Sequence, residues 1–223
     1  HKDGRKKGPM GLSVDVHFPG AAHVYGIPER ATRFALKPTR FVAENGDAPR
    51  LEEPYRLYNL DVFEYLSEHP FGLYGSIPFL TAQQPGQTAG AFWLNAAEMY
   101  VDIWKTEKGT STQWVSESGT IDLFFFLGPE PKDVAGQYAA MTGTTQMPQL
   151  FSLGYHQCRW NYKDEADVAS VDENFDAHGI PCDVIWLDIE HTDGKRYMTW
   201  DRTHFPHPEK MQQGLAAKGR KMV

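Results

Sequence analysis

Early in the chain, apolar and polar residues alternate. Leu12, Val14, Val16 and Phe18 fall on one side, and Ser13, Asp15 and His17 on the other. A period of two marks a strand with one buried face. Further apolar or alternating runs follow at 34–36, 55–58, 72–80, 91–94, 99–104, 113–115 and 121–127. Turn-forming clusters separate them: Asn45-Gly46-Asp47, Gln84-Pro85-Gly86 and Lys108-Gly109. Short strands at this spacing predict an antiparallel sandwich up to about Gly128. The unbroken run Phe124-Phe125-Phe126-Leu127 predicts a strand covered on both faces.

The period changes after Pro129. Pro131 suits a first helical turn, Val134, Tyr138 and Met141 share a face, and Gly143 can end the helix. This segment reads as a helical linker. From Phe151 the pattern becomes β-α-β-α-β. Strands are predicted at 151–158 and 182–187, with a third starting at Lys221. Between them, 164–178 carries a Val168, Val171, Phe175 stripe closed by Gly179. The second helix, 208–218, opens on Pro208, turns Met211 and Leu215 inward and closes at Gly219. Strand–helix alternation implies a parallel sheet. A complete (β/α)8 barrel needs about 250 residues. The chain after Leu150 therefore holds at most the opening third of one, or a small doubly wound domain.

Composition narrows the function. The chain has 223 residues, 41% hydrophobic and 23% charged, enough for one large domain or two ordinary ones. With 22 Lys and Arg against 29 Asp and Glu, the net charge of −7 argues against a nucleic-acid partner. No apolar run approaches the length of a membrane span. The start is basic and polar, without an initiator Met or an apolar stretch. The expectation is a piece cut from a longer polypeptide, whose missing targeting signals say little about compartment. Cys158 and Cys182 are spaced unlike a zinc pair and read as reduced, buried thiols on neighbouring strands.

In parallel α/β folds ligands bind at the C-terminal ends of the strands. One strand runs into Gln157-Cys158-Arg159-Trp160-Asn161-Tyr162 and the next into Trp186-Leu187-Asp188-Ile189-Glu190-His191. Asp188 should emerge at the mouth. A carboxylate there can accept two sugar hydroxyls, bind a metal or move a proton, or simply cap a turn. Arg159 could pair with such a carboxylate, and Trp160 could form a flat apolar platform or belong to the core. The run Asp188, Glu190, His191 superficially resembles hard-metal ligation.

The back half, from Phe151 through Trp160-Asn161-Tyr162, then Val184-Ile185-Trp186-Leu187-Asp188-Ile189-Glu190-His191, then Gly194 to Asp201, resembles family-31 glycoside hydrolases. Within that family it is most similar to the subgroup that trims glucose from immature N-glycans in the endoplasmic reticulum lumen. The front half agrees at His23-Val24-Tyr25-Gly26-Ile27-Pro28-Glu29-Arg30, at Tyr55 to Phe63 and at Phe92 to Glu98. The resemblance spans roughly residues 11–223. It implies a mutarotase-like N-terminal β-sandwich with helical linker over 1–145, then the incomplete opening of a (β/α)8 catalytic barrel over 146–223. It implies a retaining α-glucosidase with no cofactor and no metal. The substrate would be a glucosylated oligosaccharide carrying terminal α-1,3-linked glucose.

Carried over by position, Asp188 binds sugar hydroxyls in the −1 subsite, Ile189 follows on the pocket wall and Trp160 lies beside the same subsite. Asp61 sits where a sandwich loop reaches over the barrel mouth. From its neighbours alone, Asp61 is a turn residue. The resemblance also has a gap. A retaining glycosidase needs a nucleophile and an acid/base about 5–5.5 Å apart. The family's Trp-x-Asp-Met-Asn-Glu nucleophile motif does not occur by Val223. No catalytic residue is therefore expected within this chain, which is expected to be inactive alone. Its partners would be the remaining barrel segment and a non-catalytic β subunit. Three other readings stand beside this one: a carbohydrate-binding module, a metal-dependent barrel hydrolase using Asp188, Glu190 and His191, and a scaffold fragment without ligand.

Overall fold

The structure is a computed structural model that describes residues 11–41 and 50–223. It divides into two compact units, His1–Thr144 and Thr145–Val223. The turn expected at Asn45-Gly46-Asp47 lies outside the described residues.

Two four-stranded antiparallel sheets build the first unit. In the first sheet β1 (Leu12–Pro19) pairs with β9 (Gly109–Ser116), β9 with β8 (Met99–Thr106) and β8 with β5 (Tyr55–Leu57). The second sheet runs β10 (Leu123–Phe126), β7 (Gln87–Trp93), β6 (Phe79–Gln84), β2 (His23–Gly26). A two-stranded ribbon joins β3 (Arg40–Phe41) to β4 (Arg50–Leu51). The period-two pattern acts as expected in β8, where Met99, Val101 and Ile103 are buried and Tyr100, Asp102 and Trp104 are not. Val16, Phe18, Tyr55, Leu57 and Trp114 from the first sheet pack with Val24, Leu80, Ala91 and Trp93 from the second. A sandwich core results. Its two fully buried indoles are satisfied: Trp114 donates its N–H to Thr112 Oγ1 at 2.9 Å, and Trp93 donates to the Thr120 carbonyl at 2.8 Å. Gly109 turns the β8–β9 hairpin at φ 140°, where a Cβ would lie 2.2 Å from the Phe18 carbonyl oxygen.

Alternation along β7 and β10 turns a second set of side chains outward. Helix α1 (Pro131–Thr142) covers it, placing buried Val134 and half-buried Tyr138 on Phe79, Phe92, Phe124 and Phe126. The Phe79 and Tyr138 rings lie 4.5 Å apart. The expected linker helix is thus docked on the sandwich. The expectation of a two-faced buried strand at Phe124–Leu127 is corrected. Strand β10 is an edge strand, and Phe125 and Leu127 remain 54% and 67% exposed. Two other expected strands fail. Residues 34–36 carry only the bond from Leu36 N–H to the Val24 carbonyl, at 3.0 Å. Most of 72–80 is loop, bonded through Leu73, Gly75 and Ile77 to the backbone of Pro28 and Glu29. Only Phe79 and Leu80 join a ladder.

The second unit holds a three-stranded parallel sheet in the order β11 (His156–Gln157), β12 (Val184–Ile185), β13 (Lys221–Met222). Helices α2 (Glu165–Ala177) and α3 (Pro208–Ala217) connect them. Asp164 caps α2 by accepting the Asp167 N–H at 2.7 Å, and Asp167 in return accepts the Lys163 N–H at 3.0 Å. Gly179 and Gly219 follow the two helices at φ 63° and 81°. Tyr162, Val168, Ile185, Phe205 and Leu215 form the core, with Val171, Leu187, Met211 and Met222 against it. The expected strand at 151–158 shrinks because Leu150–Leu153 coils into a 3₁₀ turn. The strand at 182–187 likewise has a short ladder, although Trp186 and Leu187 still donate to the Gln157 and Val223 carbonyls, both at 2.9 Å. The sheet is therefore continuous past Ile185 and delivers Asp188 to its end.

Candidate functional site

Strand alternation decides where Asp188 points. Ile185 and Leu187 pack toward the helices. Trp186 and Asp188 therefore fall on the opposite face, the one that lines the interior of a parallel barrel. Trp186 confirms this direction. Its indole N–H donates to His156 Nδ1 at 2.9 Å across the sheet, and the rings meet edge to face at 5.5 Å. His156 Nε2 in turn donates to the Ser152 carbonyl at 3.1 Å, which sets the neutral tautomer.

Asp188 ends this row. It is exposed and N-caps the 3₁₀ turn Ile189–His191, accepting the Ile189 N–H on Oδ1 at 2.8 Å. The turn explains why the carboxylate leaves the sheet here: the backbone coils immediately behind it. Asp188 Oδ2 makes no hydrogen bond among the described residues and is open to a ligand hydroxyl. Ile189 is half-buried beside it.

Trp160 lies beyond the end of β11 and is 72% exposed. Its indole N–H donates to Glu190 Oε1 at 2.7 Å. The same oxygen accepts Lys195 Nζ at 2.8 Å. The Lys195 ammonium holds the Glu190 carboxyl below the usual carboxylate range, with the indole N–H helping and partial burial opposing. The structure thus brings Trp160 onto the turn that begins with Asp188 and Ile189. The Glu190 connection was not legible in the sequence, where the two residues lie 30 positions apart. Only the parallel pairing of β11 with β12 makes their loops neighbours.

Asp61 belongs to the first unit, in an exposed loop. On one side Leu60 N–H donates to the Leu73 carbonyl at 2.6 Å; on the other, the Val62 carbonyl accepts the Tyr74 hydroxyl at 2.5 Å. Arg30, a residue that sequence reasoning missed, clamps the base of this loop. It donates to the carbonyls of Arg56 at 2.9 Å, Pro70 at 3.0 Å and Ile27 at 2.7 Å. Burial pulls the Arg30 guanidinium down to about 10, still charged at neutral pH, with the Tyr55 ring 5.1 Å beneath it.

Other expectations are corrected. Arg159 makes no ion pair among the described residues. Cys158 is exposed and Cys182 half-buried, both free, because Cys158 follows the last ladder residue and leaves the sheet. The residues Asp188, Glu190 and His191 do not converge. Glu190 turns to Trp160 and Lys195, while His191 Nδ1 bonds the Asp188 carbonyl at 2.6 Å and its ring lies 4.9 Å from Trp200. Among the described residues no three His, Cys, Asp or Glu side chains gather to hold a metal ion. No described helix is long and apolar enough to cross a membrane.

Comparison with known proteins follows the same division. Residues 1–102 match the glycosyl hydrolase 31 N-terminal galactose mutarotase-like domain, and residues 145–223 match the glycosyl hydrolases family 31 TIM-barrel domain. The whole chain is 61% identical to a probable glucan 1,3-alpha-glucosidase of Arabidopsis thaliana, of which it covers 25%. It is 52% identical, again along its whole length, to neutral alpha-glucosidase AB of Homo sapiens, covering 25% of that protein. Among solved structures, the DNJ-bound glucosidase II alpha subunit superposes with a TM-score of 0.81 at 50% identity, over 97% of this chain and 24% of that one. An ER glucosidase II heterodimeric complex, of catalytic subunit and binding domain of regulatory subunit, gives 0.80 at 50% identity over 96% of this chain and 24% of that one. The chain spans about a quarter of the length of these relatives.

Proposed function

Because the chain belongs to glycoside hydrolase family 31, we propose that it forms part of a retaining α-glucosidase and supplies substrate-binding groups to it. The carrying observation is the carboxylate of Asp188. It stands at the end of a parallel strand, on the face away from the helices, and caps the turn whose Glu190 accepts the Trp160 indole N–H.

In this reading Asp188 accepts hydroxyl hydrogens of the terminal glucose, Ile189 walls the pocket and Trp160 presents a flat apolar surface to the sugar. Asp61, on a loop of the first unit, is a further substrate-binding carboxylate in this reading. The nucleophile and the acid/base that a retaining mechanism requires are contributed by other barrel strands of the enzyme. The chain alone would then bind but not hydrolyse. The substrate class is terminal α-1,3-linked glucose on immature N-glycans. Support comes from the plant relative, named for glucan 1,3-α-glucosidase activity, and from a neighbouring structure of a glucosidase II alpha subunit described as alpha3-Glc2-bound. The endoplasmic reticulum lumen as compartment and a non-catalytic subunit as partner rest on the heterodimeric neighbour.

The test is Asp188→Asn in the complete enzyme with nigerose as substrate. A hydrogen bond to a charged group contributes about 1.5–3 kcal/mol, so kcat/KM should fall roughly ten- to hundredfold. The released glucose should be the α anomer by NMR. A loss below threefold, or β-glucose as first product, sinks the proposal.

A further inference from the structure

Trp160 is a large side chain with almost nothing packed on it. At 72% exposure, packing cannot choose its rotamer. One directional contact does: the 2.7 Å bond to Glu190 Oε1. We infer that Glu190 is a positioning residue that sets the Trp160 indole beside Asp188, with Lys195 holding Glu190 in turn. This inference rests on the sugar-pocket reading of Asp188 and Trp160.

Three observations support the assignment. Glu190 sits in the same 3₁₀ turn that Asp188 caps, so one short element both presents the carboxylate and aims the aromatic ring. Both donors converge on a single oxygen, while Oε2 is buried without a partner among the described residues. Trp160 and Lys195 are thus the side chains that orient the carboxylate. Lys195 is delivered by a local device. Gly194 and Lys195 are both left-handed, at φ 60° and 64°, a conformation that non-glycine residues avoid. Thr199 Oγ1 closes that turn, accepting the Asp193 N–H at 3.0 Å and donating to the Arg196 carbonyl at 2.5 Å. The chain tolerates an unfavourable backbone at Lys195, and the ammonium that results sits on Glu190.

A ring already held in its binding orientation spares the substrate the cost of ordering it, worth up to about tenfold in affinity. In the complete enzyme, Glu190→Ala should raise KM for nigerose about five- to tenfold and leave kcat within twofold. Glu190→Gln keeps an acceptor for the indole and should recover most of that loss. Adding Glu190→Ala to Trp160→Ala should raise KM no further. In the 223-residue protein, the indole ¹H–¹⁵N signal that disappears in Trp160→Phe should move in Glu190→Ala and return toward its original position in Glu190→Gln. Additive KM effects, or a fall in kcat with KM unchanged, would overturn the inference. An unmoved indole signal would overturn it whatever the kinetics. If the unmodified enzyme lacks α-glucosidase activity, the functional reading fails instead, and the indole signal alone decides whether Glu190 holds the ring.

Discussion

Asp172→Asn tests whether a buried ion network holds the sheet that carries Asp188. Asp172, 5% exposed on α2, accepts Arg220 Nη1 and, at 2.7 Å, Lys218 Nζ. Arg220, 8% exposed, also donates to the Asp172 carbonyl at 3.1 Å, the Cys182 carbonyl at 3.2 Å and Asp176 Oδ1 at 2.6 Å. It immediately precedes β13, which pairs with β12. The network therefore ties α2 to two strands of the parallel sheet. Breaking a buried pair by removing one partner costs about 3–5 kcal/mol, because the other charge stays buried. Asparagine keeps one acceptor and Asp176 remains, so about 2–3 kcal/mol is expected here. With two units a single unfolding midpoint is ill defined, and amide exchange is the better assay. Protection at Trp186, Leu187 and Val223 should fall about 30- to 150-fold, since about 1.4 kcal/mol is tenfold. Protection along β8, in the other unit, should not change. The double variant Asp172→Leu with Arg220→Met should recover protection, because a buried pair replaced by packed apolar groups is often neutral. A loss below threefold, or an equal loss in β8, refutes the reasoning.

Three more outcomes are expected. Arg30→Met leaves the Arg56, Pro70 and Ile27 carbonyls without their donor, so limited proteolysis between residues 58 and 70 should accelerate about tenfold, at roughly 1.5 kcal/mol for one such bond; an unchanged rate would show that the clamp does not order the Asp61 loop. Asp176, held at about 2 first by Arg220 and then by Lys218, has a folded-state pKa below its usual 3.8. Its stabilisation is fully present well above pH 4 and is lost as pH falls through about 2, so the difference in exchange protection between Asp176→Asn and the unmodified protein should be largest at pH 6 and shrink to about a third by pH 2.5; a constant difference contradicts the assignment. Iodoacetamide at pH 8 should label exposed Cys158 at least about tenfold faster than Cys182, whose thiol burial pushes up; equal rates by peptide mass spectrometry would refute this.

Much of the architecture was legible in the residues because it depends on neighbours along the chain. The alternation of Leu12 to Phe18 and Met99 to Ile103 forces one face inward. Pro208 at a helix start, and Gly179 and Gly219 after helix ends, follow from backbone sterics that each residue carries with it. The strand-end position of Asp188 is of the same kind, since an apolar run followed by a carboxylate is local information.

What tertiary structure alone decided is which segments lie side by side. The Phe124–Leu127 run reads the same in a central strand as at an edge, and only its single pairing with β7 exposes Phe125. Residues 34–36 and 72–80 have strand-like composition, yet the first makes a single bond to β2, through Leu36 N–H and the Val24 carbonyl, and the second bonds mainly to the loop backbone of Pro28 and Glu29. Nothing near Trp160 names Glu190, and nothing near Asp61 names Arg30. Hydrogen bonds of about 3 Å between residues tens of positions apart exist only after the sheets have set the register. A pattern along the chain can choose a face, but it carries no record of what that face will meet.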